Sequence, residues 1–324
     1  MAILKIATIR NDFDTMGGEI STDSDYYDVT RVENAMKLLE GEQATISFTA
    51  AAGNVTYVHF CYGSTTADGN FDEKIVSLRD GNNDEVAFIQ MDETSLEFAV
   101  VGDTTTQASP GTSISIGTFS VIDLEITVDG TTDIQVRGFI NSALQFDETV
   151  ANTGGLTNPV QALFLSPSSG TLVYPTRYVS EVIVADEDTR GLRLRELKPQ
   201  SFGIFNQWDG TASSVADGSL ATGVSTDVAD ERSAFGLRNL ENVDAADIIN
   251  RVVIQTYAQR GASGLTSINH FFRYEDTTIE DSTDISLGLF GAWYIEEFAN
   301  NPDTAVAWVP ADLEGIQIGV RART

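Results

Sequence analysis

The residues of this 324-residue chain with the means to do chemistry are two histidines, one cysteine and a large stock of carboxylates. His59 stands in Val55–Cys61 (VTYVHFC), on the same side of an alternating run as Tyr57 and Cys61, and His270 stands among aromatics in Ile268–Tyr274 (INHFFRY). An imidazole beside a thiol is the raw material of a nucleophilic dyad. Residues two apart on a strand, however, point the same way yet stand about 6.5–7 Å apart, which is poor geometry for a Cys61–His59 pair. Both histidines are therefore expected to pack in the core or between sheets. No Gly-x-Ser-x-Gly elbow occurs, and the glycines fall in turns rather than in a phosphate loop or dinucleotide fingerprint.

The carboxylates suggest two other chemistries. Paired acids roughly 5–9.5 Å apart cleave glycosidic bonds, but the Glu-x-Asp-x-x-Glu spacing that would aim them from one strand face is absent. Asp123 and Glu125 are instead expected on the wet face of an ordinary amphipathic strand. Calcium needs six to eight oxygens, and the candidates are Asp12 with Asp14, Asp23 with Asp25, and Asp186-Glu187-Asp188, none of them in an EF-hand loop. Asp186 and Asp188 come first because they end the apolar strand Tyr178–Val184 and turn through Thr189-Arg190-Gly191. Trp208, Tyr26, Tyr27 and Phe205 are the aromatics with the means to stack on sugars or to form an interface.

Composition narrows the partners. With 48 Asp+Glu against 19 Lys+Arg the formal net charge is −29, so nucleic acid and anionic membrane are repelled at long range. Lys5, Lys37, Lys74 and Lys198 are the lysines; the other cations are arginines, whose planar fork suits carboxylates across interfaces. The single Cys61 excludes an intrachain disulfide and a Cys-rich zinc site. The opening MAILKIATIRNDFDTM holds no signal-length apolar run, and no stretch approaches the roughly 20 residues of a membrane helix. The expectation is a chain made in a cytoplasm without membrane insertion. At 42% hydrophobic, with 17 Phe, it has the means to build real cores.

Those residues must be positioned by strands. In Val121–Val128 the residues Ile122, Leu124, Ile126 and Val128 share one face, Asp129-Gly130 is a hairpin signal, and Ile134, Val136 and Ile140 continue the inward face. Further strands are predicted at Ala44–Ala50, Val55–Cys61, Lys74–Leu78, Val86–Met91, Leu96–Val101, Gln161–Leu165, Tyr178–Val184 and Leu192–Leu197, the spacing of a two-sheet jelly roll. Val32, Met36 and Leu39 sit at helical spacing, so Ala35–Leu39 reads equally as helix or strand. After Lys198-Pro199 the texture changes. Trp208–Asp230 reads as surface loops, Asn242–Asn250 as a helical turn capped by Asn242 or Asp244, and strands follow at Ala234–Leu240, Arg251–Ala258, Ile268–Tyr274, Ile285–Tyr294 and Gly315–Arg321. The expected architecture is all-β: a jelly-roll sandwich over residues 1–198 and a smaller β-sandwich over 199–324.

Two segments carry a family resemblance. Phe119–Ile140 (FSVIDLEITVDGTTDIQVRGFI) and Tyr178–Gly191 (YVSEVIVADEDTRG) resemble the paired central strands and the near-final strand of concanavalin A-like lectin/glucanase domains. Asn301, Pro302, Thr304 and Trp308, followed by a polar link and a last strand, are similar to the endings of tailed-bacteriophage structural proteins that begin with such a domain. The resemblance implies a non-enzymatic virion component, either a tail adhesion or fibre protein or a head decoration protein. Its implied partners are other virion proteins, copies of itself in a homo-oligomer such as a trimer, and a host surface glycan. No cofactor is expected beyond Ca2+ at the Asp186 turn. The rival expectations are a carbohydrate-binding module and a calcium-dependent adhesin of a marine bacterium.

Overall fold

The computed structural model describes residues 3–7, 12–16, 18–65, 73–92, 95–108, 113–166, 175–217, 219–238, 240, 243–261, 264–274, 276–280 and 283–324. The chain folds as two compact units, Met1–Leu194 and Arg195–Thr324. Among the described residues, no helix is long and apolar enough to cross a membrane.

The first unit contains β1 (Ile3–Ala7), β2 (Thr15–Met16), β3 (Glu19–Ser21), β4 (Ala35–Leu38), β5 (Gln43–Ser47), β6 (Val55–Ser64), β7 (Glu73–Arg79), β8 (Glu85–Asp92), β9 (Ser95–Val101), β10 (Thr105–Ala108), β11 (Phe119–Asp129), β12 (Asp133–Ile140), β13 (Ala143–Ala151), β14 (Gln161–Leu165) and β15 (Arg177–Ala185). They form two antiparallel sheets. One runs β13-β12-β11-β6-β15-β4-β3, with β1 added beside β15, and the other runs β10-β9-β8-β7-β14-β5-β2. The sheets form a jelly-roll sandwich, because alternate residues of each strand bury in one shared core. Val58, Phe60, Ile122, Leu124 and Val136 of the first sheet meet Ile46, Leu78, Ile89, Phe98 and Phe164 of the second. Phe60 and Phe164 pack edge to face at 5.4 Å between centroids. Gly138 permits the closest approach: a Cβ there would run into the Phe98 ring. Period-two burial thus places the core as the alternation predicts.

Ala35–Leu38 is a strand, because its ladder to β15 and β3 outweighs a short helical pattern. Leu192–Leu197 is not one. Its alternating residues serve side-chain packing instead: Arg193 turns to Glu181, and Leu194 packs on a cluster of Tyr26, Tyr27, Val32, Ala35 and Tyr178.

In the second unit β16 (Pro199–Asn206), β19 (Arg232–Leu237), β25 (Gln317–Arg323), β21 (Ser267–Tyr274) and β22 (Thr277–Glu280) lie side by side, with β23 (Ile285–Ser286) against β21. A ribbon of β20 (Val252–Ala258) and β24 (Ala292–Phe298) packs on this sheet through Ile254, Phe298 and Phe272, joined by Trp308 and Ile316. The predicted Ile285–Tyr294 strand is split, since Gly288 and Gly291 interrupt it and Gly291 lies against the Tyr257 ring. Within Trp208–Asp230 the loops hold the short hairpin β17 (Asp209–Gly210) with β18 (Val224–Ser225), and the helix α1 (Ala212–Ala216), capped reciprocally by Thr211 and Ser214. Asp244 heads a tight turn, with its Oδ1 accepting from the Ala246 N–H; Asn242 lies outside the described residues.

Candidate functional site

The core faces of β6, β11 and β15 are apolar, so their opposite faces carry the chemistry. On β6 that face presents Tyr57, His59 and Cys61, and on β11 it presents Asp123 and Glu125. The register sets His59 directly across from Asp123, and His59 Nδ1 lies 2.8 Å from Asp123 Oδ1. Asp123 is 1% exposed and His59 fully buried. This corrects the expectation of a wet Asp123: the segment 186–194 crosses over this face and seals it. Thr189, itself buried, reaches Asp123 Oδ1 at 3.5 Å.

A second buried group stands beside the first. β15 carries a bulge between Ser180 and Ile183, and Glu181 adopts a left-handed φ of 52°. The bulge re-aims its carboxylate to the outer face. There Arg193 donates to both oxygens, from Nε at 2.9 Å and from a terminal nitrogen at 2.8 Å, and the Leu194 N–H adds 3.3 Å. The same guanidinium reaches Asp28 at 3.1 Å. For Asp28, burial opposes ionisation, but hydrogen bonds from Thr30 and the charges of Arg193 and Arg31 outweigh it and hold the carboxyl below its usual range. The Cys61 thiol donates to Glu181 Oε1 at 3.5 Å. Burial, with Glu181 beside it, pushes that thiol far up, so Cys61 stays protonated and is no nucleophile.

Around this sealed floor lies a half-exposed rim. Arg137 bonds Glu125 at 3.0 Å and Asp147 at 3.4 Å. Arg190 clamps Asp188 through Nε and a terminal nitrogen, and its guanidinium sits 4.6 Å over the Phe139 ring. The Tyr57 phenol is raised by burial and by the neighbouring Glu125 and Asp188, which outweigh Arg190 and Arg137, so it remains a hydrogen-bond donor at neutral pH. Phenol, carboxylates and guanidinium forks together make a set of donors and acceptors suited to hydroxyl-rich ligands.

The candidates picked out from sequence fare unevenly. Tyr26 and Tyr27 are buried at 8% and 5% exposure, so neither can stack on a ligand. Tyr26 lies flat on Tyr178 at 3.9 Å, and the Tyr27 hydroxyl donates to the Glu33 carbonyl at 2.8 Å. Asp188 has both carboxylate oxygens on Arg190 and Asp186 is half-buried, so the turn is ion-paired. Among the described residues no group of three His, Cys, Asp or Glu side chains is placed to hold a metal ion. In the second unit Trp208 is half-buried with its indole N–H donating to the Glu231 carbonyl at 3.1 Å. Glu181, Thr189 and Arg193 were not picked out as site residues. The visible signal was an acid within the otherwise apolar Tyr178–Val184 strand.

No protein-family model matches the chain, and no curated protein matches it. Solved structures do. An endo-beta-1,4-glucuronan lyase from the fungus Trichoderma reesei is 12% identical over 57% of this chain and 95% of its own, with a TM-score of 0.44. Alginate lyase Aly36B is 13% identical over 60% of this chain and 100% of its own, with a TM-score of 0.37. A chain of botulinum neurotoxin type C, a toxin that depends on interaction with two ganglioside molecules to enter cells, is 10% identical over 86% of this chain and 72% of its own, with a TM-score of 0.41. At such identities and TM-scores the likeness carries no argument about this chain, and the sandwich rests on its own strand order and shared core. Two of these chains are lyases, which overturns the expectation that such a sandwich implies a non-enzymatic protein.

Proposed function

We propose that the outer face of the β13-β12-β11-β6-β15 sheet binds a glycan, and that the chain serves as a glycan-recognising component of a tailed-bacteriophage virion. The observation that carries the first part is the rim of Tyr57, Glu125, Arg137, Asp188 and Arg190 around a sealed floor. Adjacent sugar hydroxyls match carboxylate and guanidinium forks, and a phenol adds a ring edge and a donor. A net charge of −29 disfavours polyanionic glycans, so the ligand is a neutral oligosaccharide. The second part is supported by the sequence resemblance of Asn301–Trp308. The segment is an architectural corner: Asn301 Oδ1 accepts from the Asp303 N–H, and the Trp308 indole donates to the Phe298 carbonyl.

A glycan array carries the test. Neutral oligosaccharide signal that falls at least tenfold in Tyr57→Ala and Arg137→Ala supports the reading. A flat array, or binding untouched by both changes, ends it. For the virion, immunogold label at the tail tip places the chain in adhesion, label along the shell places it in decoration, and unlabelled particles reject the assignment. Sedimentation of the full chain reports whether copies assemble, with a trimer as the expected state.

A further inference from the structure

The second unit holds a hydroxyl, an imidazole and a carboxylate in series. His270 on β21 is fully buried, its Nδ1 lies 2.6 Å from Glu296 Oε2, and its Nε2 lies 2.9 Å from Thr256 Oγ1. The two flanking groups come from the two strands of the ribbon. Thr256 pairs with Tyr294 and Ile254 pairs with Glu296, so all four residues share one ribbon face, toward β21. With Glu296 as a carboxylate accepting from Nδ1–H, Nε2 is the acceptor and the Thr256 hydroxyl donates to it. That is the order of an activated nucleophile: hydroxyl, base, and a third group that fixes the base's tautomer. Thr256 is half-buried and the Glu296 side chain keeps 14% exposure, while the imidazole between them is fully buried. Sequence spacing hides this arrangement, since Thr256, His270 and Glu296 are 14 and 26 residues apart.

We propose that Thr256 is an acyl-accepting nucleophile, with His270 as its general base and Glu296 as the positioning residue, and that this unit hydrolyses esters of small acyl groups. Thr256 Oγ1 attacks the ester carbonyl carbon while its proton passes to His270 Nε2. The tetrahedral adduct collapses, the carbon–oxygen bond to the alcohol breaks, and the departing oxygen takes the proton from Nε2. Water then attacks the acyl-threonine, giving its proton to Nε2. The carboxylic acid leaves as the proton returns to Oγ1. The inference is independent of the glycan reading, which concerns the other unit.

The test incubates the full-length protein with p-nitrophenyl acetate. Nitrophenolate release above buffer, together with an acetyl group on the peptide that contains Thr256, is the expected result. Thr256→Val keeps the side-chain shape and leaves the His270–Glu296 pair in place; its melting curve reports that it is folded, and it should lose both signals. Thr256→Ser should restore them. Glu296→Gln should lower kcat by about 10²-fold with KM unchanged, a split that loss of packing would not produce. Release in folded Thr256→Val equal to that of the parent, or no release above buffer from the parent, overturns the proposal.

Discussion

Each unit buries a histidine against a carboxylate, and the two pairs differ in what meets the second ring nitrogen. In the first unit His59 Nε2 and Asp123 Oδ2 are buried with no hydrogen-bond partner among the described residues, beneath a segment tied down by Thr189 and Arg193. In the second, His270 Nε2 meets a hydroxyl on a strand that reaches solvent. An imidazole and a carboxylate therefore make a sealed tie in one place and a relay in the other. Burial of the imidazole does not separate them, since both rings are at 0% exposure. The third group and the path to water do.

The comparison is most exposed to damage at Glu181. Glu181→Ala leaves the Arg193 guanidinium without its buried carboxylate and should cost about 3–5 kcal/mol, read as a lower denaturation midpoint. Glu296→Ala leaves the buried His270 Nδ1 without its partner and should cost about 1–3 kcal/mol. Equal losses would erase the distinction between the fully buried carboxylate of the first unit and the partly exposed one of the second.

Acid separates the units next. The folded-state carboxyl of Asp28 lies below its ordinary value of 3.8, so its contribution is present above that pH and is lost as pH falls through the lower folded value. Melting temperature should drop below about pH 4, and Asp28→Asn should flatten that limb. Asp230 of the second unit is also lowered, first by the Arg321 hydrogen bond, yet its side chain is exposed. Solvent screening makes its pair weak, and Asp230→Asn should leave the acid limb unchanged.

Two smaller effects sharpen the contrast. Replacing both members of the sealed pair, His59→Leu with Asp123→Leu, removes the orphaned polar atoms along with the pair and should leave stability within about 1 kcal/mol of the parent. The smallest effect expected is from metal removal. With Asp188 committed to Arg190, melting temperature should not move on adding EDTA or in Asp186→Ala. A drop in either would put a cation back at that turn.

The legible part of the fold was the part governed by local repetition. Ile122, Leu124 and Ile126 read as one buried face because burial repeats every second residue along a single strand, and the structure buries all three. Tyr26 and Tyr27 misled because their polarity as a pair says nothing about Tyr178, which arrives from far along the chain to cover one of them. Leu192–Leu197 misled for the opposite reason: its alternation is real, but Arg193 and Leu194 turn into side-chain contacts rather than pairing at a sheet edge.

Composition and period by themselves determined an acidic all-β chain, the inward faces of its strands, and the absence of a disulfide from a chain with one cysteine. Tertiary structure alone decided which outward residues are wet. Asp123 and Glu125 look alike in sequence, two positions apart on the same strand face. One is sealed because His59, 64 residues away, pairs across from it and the chain returns overhead at Thr189; the other remains at the rim with Arg137. Alternation reports which side of a strand a residue takes. Only the pairing of distant strands and the path of the covering segment determine whether water reaches that side.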